Sequence, residues 1–312
     1  MMRSFYSRSI AAFVLVIGLF GKNWAQVEST RPSVPLHYDV ALAAAGFPNP
    51  LVRATINGQQ AIFIVDTGAS VNTLATWFAK AASLPVSETS ATVRGSTGEK
   101  AHIQVVRGIS GVFENGTFLR LDEAIVADLP RVFHDHQLGG LLSPQLLAPA
   151  GLAAVLDLRV PVLAFEPFNH ALAQLPREAA GFSTGNECTN RDSQFTNRQY
   201  SARISVEDVR GTLLLDTGAT RTLVVPKSSI ARKLSFRSIE KGLTAGVGGA
   251  VTNDRRVGNV HLKLGGMKTI LDLTVGGSPS NCGPDGLLGM DALGKCVLLL
   301  DVSRLAFSCE KQ

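Results

Sequence analysis

Apolar and polar positions alternate with a period of two through much of this chain. In "LVRATINGQQAIFIVD" (Leu51–Asp66), Val52, Ala54 and Ile56 share one face, Asn57-Gly58 marks a tight turn, and an apolar run returns to Asp66. Period-two alternation broken by Asn-Gly predicts a β-hairpin. "SARISVEDVRGTLLLD" (Ser201–Asp216) repeats the plan, with Glu207-Asp208 at the turn and Leu213–Leu215 entering Asp216. Helical periodicity is scarce, so the expectation is a mostly β fold built on short strands and tight turns.

The parallel continues downstream. "GGLLSPQLL" (Gly139–Leu147) corresponds to "DGLLGMDAL" (Asp285–Leu293), each an apolar pair followed by a short predicted helix. "AAVLDLRVPVLAFE" and "CVLLLDVSRLAFS" follow as strand pairs that carry Asp157 and Asp301 and end in Leu-Ala-Phe. Landmarks repeated in the same order indicate an internal duplication of lobe size, since solenoid units are much shorter. The reading places one lobe at 50–165 and the other at 200–312, joined by a polar linker over 166–199.

The first 25 residues read differently. Arg3 and Arg8 precede an apolar run from Ile10 to Phe20, and Ala25 offers a cleavage point. A run of 11 residues falls short of the roughly 20 that span a bilayer, so 1–25 is expected to be a signal peptide and 26–49 an N-terminal extension. Asn23 stands where a small residue is preferred, which leaves an uncleaved anchor as the alternative. The expectation is export, to the periplasm or outside the cell, without stable membrane insertion after cleavage. The formal charge of +5 drops to +2 once Arg3, Arg8 and Lys22 are removed. No basic block then suggests nucleic acid as a partner. Cys188, Cys282, Cys296 and Cys309 all lie in the second half, and export would let them form disulfides; three pairings are open.

The candidate chemistry sits in "FIVDTGAS" and "LLLDTGAT". Each puts a carboxylate, Asp66 or Asp216, at the end of an apolar strand, where an unpaired charge is costly to bury. Gly68 and Gly218 let the backbone turn sharply and present N–H groups, and the Thr67 and Thr217 hydroxyls can reach a facing loop. Two such loops face to face would bring the aspartates within hydrogen-bonding range. Like charges so close share a single proton, which suits general acid–base hydrolysis of an amide by a trapped water.

These stretches resemble the active-site loops of aspartic proteases of the pepsin and retropepsin type, and the Ala after each Gly is closer to the retropepsin-like branch. The resemblance covers both halves. It implies a bilobal, mostly β fold with two β-barrel-like lobes and the cleft between them. It also implies Asp66 and Asp216 as the catalytic dyad, with Thr67, Gly68, Ala69, Thr217, Gly218 and Ala219 in support, and Leu287, Leu288 and Gly289 bracing a loop. No cofactor or metal is expected, and with both lobes in one chain a monomer suffices. Ala69 and Ala219 stand where pepsins often carry a hydroxyl, so the pair should release its proton less readily, favouring mildly acidic to neutral pH. Gly95-Ser96-Thr97-Gly98, and the Gly246, Gly248 and Gly249 region, are candidate flaps over an extended polypeptide substrate. None of the tyrosines, Tyr6, Tyr38 and Tyr200, falls there.

Other signals carry less. Gly181–Gly185 spells a serine-hydrolase elbow without the strand and helix that motif needs. His134-Asp135-His136 is an isolated loop pair rather than a metal site. The expectation is therefore an exported aspartic endopeptidase, against the alternative of a peptide-binding module that does not cut.

Overall fold

The computed structural model describes residues 33–94, 100–175, 180–183, 199–237, 240–245, 251–278, 282–302 and 304–310. The flap candidates Gly95–Gly98, Gly246, Gly248 and Gly249 lie outside them, as does Cys188.

The described chain begins with strand β1 (Ser33–Pro35) and helix α1 (Val40–Ala44), whose first turn is capped by Asp39 accepting the Leu42 N–H at 2.9 Å. The first lobe then runs through β2 (Leu51–Ile56), β3 (Gln59–Val65), β4 (Asn72–Ala75), helix α2 (Thr76–Ala81), β5 (Ser87–Arg94), β6 (Lys100–Phe113), β7 (Phe118–Ala127), helix α3 (Arg131–Asp135), β8 (Leu138–Leu142) and helix α4 (Pro144–Leu147). Its strands form a sheet in the order β2-β3-β8-β4-β7-β6-β5, and Ala54 of β2 also pairs with Phe113 of β6, closing a barrel from which β5 extends. Phe63 and Phe78 fill the barrel edge to face, their centroids 5.2 Å apart.

Next come β9 (Ala153–Asp157), β10 (Val162–Glu166), helix α5 (Phe168–Gln174) and β11 (Ala180–Ser183). The second lobe comprises β12 (Ser201–Val206), β13 (Val209–Leu215), β14 (Leu223–Val224), helix α6 (Ser229–Leu234), β15 (Glu240–Ala245), β16 (Val251–Leu264), β17 (Met267–Val275), β18 (Gly286–Leu288) and helix α7 (Met290–Leu293). The strand order, β12-β13-β18-β14-β17-β16-β15, repeats that of the first lobe, and closure between β12 and β16 pairs Ile204 with Leu264. The mostly β architecture expected from the alternation, with the two barrel-like lobes that the resemblance implies, is the one observed.

Both predicted hairpins form. Asn57 and Gly58 have φ of 49° and 77°, and Glu207 and Asp208 have 46° and 64°, the left-handed pair of a primed turn. The second turn lacks glycine and is held by its side chains: Glu207 accepts the His261 N–H at 2.8 Å, and Asp208 accepts from Lys263 at 2.7 Å.

The Leu-Ala-Phe strand pairs trail one lobe each in sequence but come together in space. With β19 (Cys296–Leu300) and β20 (Leu305–Cys309) they build a third sheet, ordered β1-β10-β9-β19-β20-β11, in which Leu156 of β9 pairs with Leu298 of β19. The apolar runs explain the merger: every residue of β19 is buried, so it takes a central place. A disulfide links Cys296 to Cys309 directly across β19 and β20. Asp157 and Asp301 close the turns beyond β9 and β19 by accepting from the guanidinium groups of Arg159 (2.9 Å) and Arg304 (2.8 Å) respectively. One continuous core runs through both barrels and the shared sheet, from Val34 and Phe63 through Leu156 to Leu213 and Phe307.

Candidate active site

Asp66 follows β3 and Asp216 follows β13, so equivalent strands carry the two carboxyl groups to one place. Each strand runs parallel to the apolar pair read from sequence: Val65 lies beside Leu142 in β8, and Leu215 beside Leu288 in β18. The main chain then locks each aspartate, with the Asp66 N–H donating to Leu142 O at 2.8 Å and the Asp216 N–H to Leu288 O at 3.0 Å.

The loops interlock through their threonines. The Thr67 N–H donates to Thr217 Oγ1 and the Thr217 N–H to Thr67 Oγ1, both at 3.1 Å. Each hydroxyl passes its own proton on across the lobe boundary, Thr67 to Leu215 O at 2.8 Å and Thr217 to Val65 O at 2.6 Å. Both threonines are wholly buried, so every polar atom of the exchange needs its partner.

The glycines face the opposite carboxylates. A Cβ on Gly68 would sit 2.4 Å from Asp216 Cγ, and one on Gly218 would sit 2.4 Å from Asp66 Cγ. That space is taken by carboxyl groups, which is why neither position tolerates a side chain. Within each loop, Asp66 Oδ1 accepts the N–H of Gly68 (2.8 Å) and of Ala69 (3.1 Å), and Asp216 Oδ1 accepts that of Ala219 (3.0 Å). The Gly218 N–H also favours the ionised form of both carboxyls, and the two aspartates act directly on one another's proton affinity.

Burial pushes the Asp66 carboxyl above its ordinary value, against the hydrogen bonds from Asp216 and the backbone N–H groups, which favour the anion. Asp216 is pushed well above it, first by burial and then by the Asp66 charge and the hydrogen bond between them. One proton held between two carboxyls is the physical outcome. Such a pair can take a proton from one group and give a proton to another in a single step.

Supporting residues differ between lobes. Gly289 donates its N–H to Thr222 Oγ1 at 3.2 Å, while Thr222 donates through its N–H and its hydroxyl to Asp291 Oδ1 at 2.8 and 2.7 Å. In the first lobe Asn72 replaces Thr222 and accepts the Ser143 N–H at 2.8 Å; Ser143 Oγ donates to Ala69 O at 2.9 Å, and Gln145 Nε2 to Thr67 O at 3.2 Å. Sequence reasoning missed Asn72 and Thr222, although both stand six residues after an aspartate. It also missed Asn49 and Gln199, each 17 residues before one. Asn49 Nδ2 donates to Thr217 O at 2.7 Å, and Gln199 Nε2 donates to Gly68 O.

The arms of both candidate flaps are paired, Arg94 with Lys100 and Ala245 with Val251. Val71, just beyond the Asp66 loop, packs with Ile103 and Ile125, so the root of the first hairpin sits behind that loop. The other sequence signals fall elsewhere: Gly181–Ser183 lies in strand β11, and His134, on α3, meets Trp77 edge to face.

Paired barrels, each delivering an Asp-Thr-Gly loop to a common centre with the carboxyls in contact, define the aspartic-protease class. The family description "Aspartyl protease" matches the chain over residues 52–143 and again over 202–292, and the chain belongs to that family. No curated protein matches it.

Proposed function

We propose that the protein is a single-chain aspartic endopeptidase that hydrolyses peptide bonds of an extended polypeptide, with Asp66 and Asp216 as its catalytic residues. The ionised carboxyl removes a proton from a water held between the two, and that water attacks the peptide carbonyl. The protonated carboxyl donates to the carbonyl oxygen, giving a tetrahedral intermediate with no covalent enzyme adduct. Collapse of the intermediate, with a proton passed to the nitrogen, breaks the C–N bond. The observation that carries the reading is the reciprocal packing of Gly68 against Asp216 and of Gly218 against Asp66, each aspartate seated on the other's loop. Export to the periplasm or beyond belongs to the same proposal, supported by the apolar N-terminal run and by the Cys296–Cys309 disulfide, a bond that persists in oxidising compartments.

The test is cleavage of a mixed peptide library across pH by the purified protein, beside Asp66→Asn and Asp216→Asn. Each substitution is expected to lower kcat/KM by at least about 10³-fold, because neither acid nor base can act alone. Activity should peak at mildly acidic to neutral pH, since burial and the absence of hydroxyls at Ala69 and Ala219 both hold the shared proton. Undiminished cleavage by either variant would remove the aspartates from the mechanism. Binding without cleavage at every pH would make the protein a peptide-binding module.

A further inference from the structure

Asn49 precedes the first barrel, yet its side chain belongs to the second lobe's loop. It is wholly buried, and its Nδ2 donates to Thr217 O across 168 positions of sequence at 2.7 Å. Thr217 O and the Gly218 N–H are two ends of one peptide unit, which packs against the Asp66 carboxyl and whose N–H favours the ionised form of both aspartates. A planar peptide turns as a body, so fixing its oxygen fixes its N–H. Drawing on the carbonyl also polarises the N–H and strengthens its hydrogen bond to an anion.

Gln199 holds the corresponding place before the second barrel. Its Nε2 donates to Gly68 O, the other end of the peptide unit whose Ala69 N–H donates to Asp66 Oδ1 at 3.1 Å. The carbonyl gripped lies one residue further along than on the Asn49 side, but the arrangement is the same: side-chain amide, loop carbonyl, loop N–H, carboxylate. The threonine exchange ties loop to loop, whereas these amides orient the N–H groups that face the charge.

Resting on the proposed peptidase chemistry, we propose that Asn49 and Gln199 are positioning residues for the dyad. Each holds a peptide unit of one Asp-Thr-Gly-Ala loop so that its N–H stays aimed at the carboxylates. Segment 37–49 is thereby part of the active-site framework, a role reinforced by Thr220 Oγ1 donating to Gly46 O at 2.7 Å.

N–H groups aimed at a carboxylate favour its ionised form, so loosening them raises the pH at which the shared-proton state appears. The experiment compares wild type, Asn49→Leu, Gln199→Leu, Asp66→Asn and Asp216→Asn, each checked for folding by circular dichroism. Both leucine variants are expected to lose roughly 10- to 100-fold in kcat with little change in KM. The acidic limb of their pH profile should move upward by about half a unit or more. A loss of kcat with an unmoved acidic limb would mean a merely structural role and would overturn the inference. If Asn49→Leu does not fold, the part-buried Gln199 decides: an unmoved limb in Gln199→Leu also overturns it. Inert aspartate variants beside leucine variants of wild-type profile would defeat this inference alone; active aspartate variants would defeat the peptidase reading beneath it.

Discussion

Asp216 is a half-buried carboxyl group beside a second one, and that arrangement opposes folding whenever the group must ionise. Its value is raised well above that of the unfolded chain, by burial first. At pH below the unfolded value of about 3.9 both states are protonated and nothing is lost. As pH climbs from there toward the folded value, the unfolded chain releases a proton that the folded chain retains, so stability falls. Asp216→Asn removes that loss. The variant should match wild type near pH 3 and melt a few °C above it, on the order of 2–6 °C, at pH 7, as read by calorimetry. A wild type equal or superior at neutral pH would contradict the sign. At this scale the sequence was legible where the chemistry is contiguous: Asp66, Thr67 and Gly68 announce themselves as neighbours. Asn49, Gln145 and Gln199 do not, because each grips a backbone carbonyl 78 to 168 positions away, and a carbonyl has no letter in the sequence.

Strands β8 and β18 do the unusual structural work of their barrels. Each runs parallel to the strand bearing the aspartate on one side and antiparallel to the strand beyond the loop on the other. The crossing is tight enough to demand glycine. Gly286 has φ of 143°, and a Cβ there would lie 2.0 Å from Leu223 O; Gly140 has φ of 149° and meets Thr73 O at the same distance. Gly286→Ala should therefore cost about 2–4 kcal/mol in urea unfolding, from backbone strain and overpacking together. Gly58→Ala, with φ of 77° and open space around it, should cost only about 1 kcal/mol. Equal costs at the two sites would show that the crossing is not what constrains Gly286. The hairpins could be read because alternation and turn residues encode them locally. The Leu-Leu landmarks could be matched, but a strand wedged between two others of opposite direction leaves no mark on a period of two.

Two lobes read from a duplicated sequence suggest two folding units, but the shared sheet argues otherwise. β9 from the first half pairs with β19 from the second, Leu156 against Leu298 and Val155 against Leu299. The core continues through them from barrel to barrel. Heating should therefore give one cooperative transition, with the calorimetric enthalpy equal to the van't Hoff value. Two resolved transitions would show the lobes to be separable. The sequence named the strands of this sheet without naming their partners, since an all-apolar run such as "CVLLL" (Cys296–Leu300) specifies burial on both faces and nothing about which neighbour supplies it.

Ser33–Pro35 occupies the outer edge of that sheet, hydrogen-bonded along β10, and the same segment leads through His37, bridged to Leu51, toward the second lobe. Front-end processing thus has a natural limit. A trimming enzyme that stops short of Ser33 leaves every one of these bonds in place. One that passes it would strip an edge strand and slacken the path to Asn49, whose side chain grips the Thr217 carbonyl of the second lobe.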